Sequence, residues 1–213
     1  MKHYQTEFKT SSELIAYPNS MDFMEARVHD IINGEKSDLV WLLEHPPLYT
    51  AGTSAKNADL LDANKFPVFD AGRGGEHTYH GPGQRIAYVM LNLKERHNNK
   101  PDLKKYVSQL EQWIINSLAR LSVKGEKREG RVGIWVCNKQ KEEKIAAIGI
   151  RVRKWVTFHG ISLNINPDLS HFSGIVPCGL KEYGITSLEK LGVKVTGKEI
   201  DEILEQEFQK IFD

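Results

Sequence analysis

The chain has 213 residues, with 29 Lys and Arg against 28 Asp and Glu for a formal net charge of +1. One compact core across residues 1–213 suits that length, and so small a net charge argues against bulk attraction to nucleic acid or a membrane surface. Two cysteines make no disulfide framework, no apolar run approaches the about 18 to 20 residues of a bilayer span, and MKHYQTEFKTSSELIAY lacks the apolar core of a signal peptide; the expectation is a soluble protein of the reducing cytoplasm.

The spacing of Met24, Val28, Ile31 and Ile32 predicts a helix over 19–35, capped by Asn19 or Ser20 and ended by Gly34, with a strand after it in DLVWLLEH. Leu103, Tyr106, Val107, Leu110, Trp113, Ile114 and Leu118 repeat the helical period over 102–121, with Pro101 and Asp102 at its start. From Arg131 the period shortens to two. RVGIWVCN alternates Val132, Ile134 and Val136 against Gly133, Trp135 and Cys137, so Cys137 reads as a small buried residue, and strands follow in KIAAIGIRVR and VTFHGISLNIN. The tail from Thr196 is a helix, with Thr196 and Glu199 as a capping-box pair and Ile200, Ile203, Leu204, Phe208 and Ile211 on one face. Helices and strands mix without regular alternation, which predicts an α+β fold; no repeat or linker divides the chain.

The unusual chemistry sits in three segments. AGRGGEHTYHGPGQ, residues 71–84, holds five glycines and two histidines, a composition that lets backbone approach a ligand while Arg73 and His80 supply polar contacts; a tight surface turn is the plainer reading. It is neither a Walker loop nor a dinucleotide fingerprint. Lys144 opens an apolar strand, where a partly desolvated amine could serve as a base, but at the end of KQKEEK a solvated lysine is the simpler account. His159 reads as a hydrogen-bonded strand histidine, and no C-x-x-C or H-E-x-x-H spacing supports a metal site. Cys178, between Pro177 and Gly179, is open to two readings, a structural residue or a nucleophile presented from a turn.

Taken together, RGGEHTYHGPGQ, KIAAIGIRVRKWVTFHGISLNIN and GIVPCGLKEYGITSL resemble, in order and separation, the octanoyltransferase family, the lipoyl(octanoyl) transferases of lipoate assembly. The resemblance extends upstream to LLEHPPLYTAG and covers about residues 39–191, with Glu76 and His77 in the variable pair of the first motif. It implies a biotin/lipoate protein ligase-like fold, a mixed sheet with packed helices in a single domain. It also implies transfer of an octanoyl group from octanoyl-acyl carrier protein to a lysine of lipoyl domains, those of 2-oxoacid dehydrogenase complexes and the glycine cleavage H protein.

By motif position, Cys178 would be the acyl-thioester nucleophile and Lys144 its activator. The acyl-binding surface would comprise Arg73, Gly74, Gly75, Glu76, His77, Thr78, Tyr79 and His80, then Ala147, Ile148 and Gly149, then Gly160, Ile161 and Ser162. Thioester exchange needs no ATP, so no cofactor or metal is expected. Gly74, Gly75, Ala147 and Gly149 offer room for a narrow apolar slot, and backbone N–H groups near Cys178 or His80 are candidate oxyanion donors. Arg151, Arg153 and Lys154 read equally as a solvated face or as a docking patch for an acidic carrier. An ATP-dependent lipoate or biotin ligase, and a non-catalytic binder of acylated proteins, remain the alternatives.

Overall fold

The computed structural model describes residues 6–138, 141–176 and 183–213. The centre of the molecule is a mixed sheet built on three strands, β2 (Leu39–Glu44), β6 (Gln84–Met90) and β10 (Val156–Asn164), which are buried almost throughout. β2 reads as a near-continuous apolar run, LVWLLE, because both of its faces are covered. The edge strand β1 (Glu7–Leu14) runs parallel to β2, and on the other side of β10 come β9 (Lys141–Arg153), β8 (Arg131–Asn138) and β7 (Glu126–Arg128), all antiparallel. The short β11 (Gly184–Ile185) pairs in parallel with the start of β9. A second, three-stranded sheet, β3 (Leu48–Ala51), β4 (Val68–Asp70) and β5 (Thr78–His80), is ordered β4-β3-β5.

Alternate residues of the central strands divide the core. Val40, Leu42, Ala87 and Val89 join the cluster formed with helices α3 (Leu103–Arg120) and α4 (Gly197–Phe212), whereas Leu39, Trp41, Leu43, Ile86, Tyr88 and Met90 join the one formed with α1 (Tyr17–Ile32). α2 is a single turn, Leu93–Arg96. α3 and α4 meet through Trp113 and Phe208, whose rings are 5.2 Å apart edge to face, and the Trp113 indole N–H donates to the Leu204 carbonyl at 2.7 Å.

The expected α3, β8, β9, β10 and α4 are present, and Asp102 and the Thr196/Glu199 box cap their helices as the sequence predicts. α1 departs from the expectation. It begins at Tyr17 with Pro18 in the first turn and no side-chain cap, while Ser20 donates back to the Tyr17 carbonyl. Proline starts the helix because its missing N–H is one a first turn does not use. β1 and β6 go beyond the elements expected from periodicity; β1, mostly polar, hides as an edge strand. Among the described residues no helix is long and apolar enough to cross a membrane.

Because Phe208 is fully buried between Trp113 and Phe8, Phe208→Ala should cost about 3 to 5 kcal/mol. Urea unfolding measures this; a loss under about 1 kcal/mol would mean that α4 is not part of the core.

Candidate active site

Two neighbouring rungs of the central sheet open a slot. On one, Tyr88 of β6 pairs with Gly160 of β10, which pairs with Gly149 of β9; on the next, Ile86, Ser162 and Ala147 line up in the same way. Large side chains on β6 beside small ones on β10 and β9 leave a trough walled by Ile86 and Tyr88. Gly160 is required there, since a Cβ would lie 2.2 Å from the Ala87 carbonyl oxygen. A side chain at Gly149 would meet the Arg73 side chain at 2.7 Å.

The loop from Ala71 to His77 roofs the trough. Gly74 N–H donates to the Ile150 carbonyl at 2.9 Å, and the Arg73 guanidinium donates to the carbonyls of Gly74 and Glu76 and to the Thr50 hydroxyl at 2.7 Å. The resulting cleft is narrow, with a cavity volume of about 50 Å³. Of the residues that the resemblance gives to the acyl-binding surface, Arg73, Gly75, Glu76, Thr78, His80, Ala147, Ile148, Gly149, Gly160, Ile161 and Ser162 line it. The segment is therefore not an open surface turn. Gly74 ties the loop down, His77 contacts the Lys56 carbonyl, and Tyr79 turns away to bond His171 at 2.8 Å, so these three stand behind the lining. Ile86, Tyr88 and His159 complete it and were not expected.

The histidines around the cleft are held neutral by burial. Tyr88 O–H lies 2.7 Å from His45 Nε2, and burial pushes the His45 pKa down to about 4. His80 bonds Gln84 at 2.7 Å, Gln84 donates to Asn164, and Asn164 donates to the Thr186 carbonyl. Burial, with His45 beside it, holds the His80 imidazole well below its ordinary value. His159 adopts φ +59°, a left-handed conformation inside a strand. Its imidazole consequently shares the face of Phe158, on which it stacks at 5.7 Å, and burial followed by the Arg73 charge lowers its pKa to about 3.

Lys144 sits at the other end. It is only 5% exposed, which overturns the solvated reading. The β8–β9 register steps from Ile134–Ala146 to Trp135–Lys144, leaving one extra residue in β9. This bulge turns Lys144 toward a small cavity that it lines together with Ala147. Thr78, Ala147 and Ser162 line both this cavity and the cleft. The ammonium donates to the Val132 carbonyl at 3.3 Å and lies 4.8 Å above the Trp135 ring. Gly133, at φ +121°, admits the lysine stem: a Cβ there would come 3.3 Å from Lys144 Cε and 2.8 Å from the Ala146 oxygen.

Cys178 lies outside the described residues. The described chain on either side is fixed: Val176 N–H donates to the Asp59 carbonyl at 2.7 Å, and Ile185 pairs with Lys144. Cys137 is exposed, contrary to expectation; it lies next to the end of β8, paired with Glu142. Arg151 and Arg153 both ion-pair with Glu25 of α1, and Lys154 is exposed in the two-residue turn between β9 and β10.

Residues 16–209 match the lipoyl protein ligase A/B catalytic domain family. A protein of Wolbachia pipientis (strain wPip) named octanoyltransferase is 58% identical over 97% of this chain and 100% of its own; another of that name, from Brucella melitensis, is 55% identical over 97% of this chain and 80% of its own. This chain belongs to the octanoyltransferase family. The family makes it an enzyme, an acyltransferase. Among solved structures, the bipartite lipoate protein ligase of Thermoplasma acidophilum aligns with TM-score 0.72 at 15% identity, over 97% of this chain and 84% of its own. A lipoate-protein ligase A bound with ATP aligns with TM-score 0.73 at 16% identity, over 96% and 85%. At such identities these likenesses establish the lipoate ligase-like fold alone.

The buried histidines make the enzyme acid-sensitive. His45 and His159 are neutral when folded down to about pH 4 and 3, whereas an unfolded histidine protonates near about 6.5. The unfolded state therefore binds more protons as pH falls below about 6.5, and folding stability drops with it. Urea midpoints should be level above pH 7 and decline between 6.5 and 5; a flat profile across that window would contradict the buried neutral assignment.

Proposed function

We propose that the enzyme moves an octanoyl group from the thioester of octanoyl-acyl carrier protein, through a thioester on Cys178, to a lysine amine of lipoyl domains such as those of 2-oxoacid dehydrogenase complexes and the glycine cleavage H protein. The observation that carries this reading is a buried lysine amine in a cavity continuous in its lining with an apolar trough. A trough with no charged floor suits a saturated chain, and an amine beside it suits proton transfer at the chain's carbonyl end.

In the first half-reaction the Cys178 sulfur adds to the thioester carbonyl, the carbon–sulfur bond to the carrier breaks, and the carrier leaves as a thiol. Lys144 takes the cysteine proton and delivers it to the departing sulfur. One thioester replaces another, so no ATP is consumed. While protonated, Lys144 has the Val132 carbonyl as acceptor and the face of Trp135 beside it. In the second half-reaction the lipoyl lysine nitrogen attacks the acyl-enzyme, the Cys178 sulfur leaves, and Lys144 takes the surplus proton from nitrogen and returns it to sulfur. An amide and a free thiol remain.

Mass spectrometry after mixing the enzyme with octanoyl-acyl carrier protein, without ATP, should find one octanoyl group on Cys178. The adduct and the transfer should vanish in Cys178→Ala and persist in Cys137→Ala. Adduct formation in Cys178→Ala at the wild-type level would contradict the nucleophile assignment, and a requirement for ATP would favour ligase chemistry.

Lys144 is tested separately. With about 3% of an ordinary cysteine ionised at pH 7, Lys144→Ala should slow iodoacetamide alkylation of Cys178 at least several-fold in a Cys137→Ala background, with partial recovery at pH 9. Lys144→Arg should not restore transfer, because a guanidinium cannot act as a base near neutrality. Superimposable pH profiles in all three proteins would remove Lys144 from the mechanism.

A further inference from the structure

The two ends of the trough differ in chemistry. Lys144 stands at one; His159, Tyr88 and Arg73 stand at the other. From Ala147 to Ile150, the rung partner of His159, is three residues of β9, about 10 Å at strand rise. An extended octanoyl chain, with C–C bonds of about 1.5 Å, measures about 9 Å. A chain with its carbonyl near Ala147 therefore brings its last carbon to His159.

That end is not apolar. His159 is 3% exposed and its ring hydrogen-bonds the backbone of Ala71. Ala71 N–H is already donated to the Ala51 carbonyl at 2.9 Å, so the bond to His159 must use the Ala71 carbonyl. A carbonyl accepts, so the ring nitrogen facing it carries the proton. The other nitrogen, Nε2, has no hydrogen-bond partner among the described residues and is buried. In a neutral imidazole this second nitrogen is an acceptor. The left-handed backbone at His159 and the stacking on Phe158 fix the ring in this pose. Strain of this kind in a strand persists where a side chain must be aimed.

We propose that His159 Nε2 terminates the acyl slot as a hydrogen-bond acceptor, and that the enzyme therefore also accepts acyl chains of octanoyl length that end in a donor, a hydroxyl. The inference rests on the octanoyl-transfer reading. It makes the end of the slot a chemical selector as well as a wall. A chain one methylene longer than octanoyl presses a methyl group against an acceptor that it cannot satisfy, whereas a hydroxyl in the same place satisfies it.

The isosteric pair nonanoyl and 8-hydroxyoctanoyl separates the two effects, since a hydroxyl replaces a methyl at equal length. With each group presented on acyl carrier protein, the rate of acyl-enzyme formation on wild type should favour 8-hydroxyoctanoyl over nonanoyl by at least about threefold. His159→Phe, which keeps a ring but removes the acceptor, should reverse the order; His159→Asn, which tolerates the left-handed backbone and shortens the side chain, should raise decanoyl relative to octanoyl by about tenfold, the worth of nearly two buried methylenes. Wild-type preference for nonanoyl, or no preference, overturns the proposal whether or not the variants fold. An unchanged order in a folded His159→Phe protein overturns it as well. Absence of any adduct from octanoyl-acyl carrier protein itself would remove the transfer reading, and this inference with it; an octanoyl adduct without the hydroxyl preference would remove this inference alone.

Discussion

The close approach of β6, β10 and β9 at the Tyr88–Gly160–Gly149 rung is the constraint from which the site follows. With no Cβ at Gly160 the strand can lie against the Ala87 carbonyl, and with none at Gly149 the Arg73 side chain can rest on the sheet. Arg73 then bridges the roof loop to Thr50 of the small sheet. Remove the empty positions and the roof has nowhere to sit. The α1 side of the sheet thus carries both a packed core and a trough, while the opposite side is given over to α3 and α4.

A second local device sets the chemistry. Strict alternation along β9 would put Lys144 on the face opposite Ala147, because the two are three residues apart. The bulge between the Ile134 and Trp135 rungs adds one residue and brings them to the same cavity. The cost is a glycine at 133 in a backbone region closed to most residues, and the gain is a buried amine between a carbonyl and an indole face.

These devices explain what the sequence made legible. The roof loop and the small residues of β9 and β10 announced themselves because glycines, histidines and an arginine are contiguous there, and family resemblance joined the pieces. Ile86 and Tyr88 could not be found that way: they are ordinary strand residues whose place in the trough comes from register with distant Ser162 and Gly160. His159 was visible as a histidine but its facing was not, since a left-handed residue in a strand defeats period-two reasoning. The bulge in β9 likewise hid the burial of Lys144. β1 escapes period-two reading because its alternation is polar, and α1 starts earlier than expected because Pro18 opens it ahead of Asn19 and Ser20, the expected caps.

The central claim is spatial, that one acyl chain lies along the trough with its carbonyl end toward Lys144 and its far end at His159. The most direct measurement is a crystal structure of the octanoyl enzyme, trapped with Lys144→Ala to slow turnover and loaded at high pH. The account predicts a thioester on Cys178 and a chain lying over Ala147, Ser162, Gly149 and Gly160, with its terminal carbon against His159. A chain outside the trough, or one entering it from the His159 end, would contradict it.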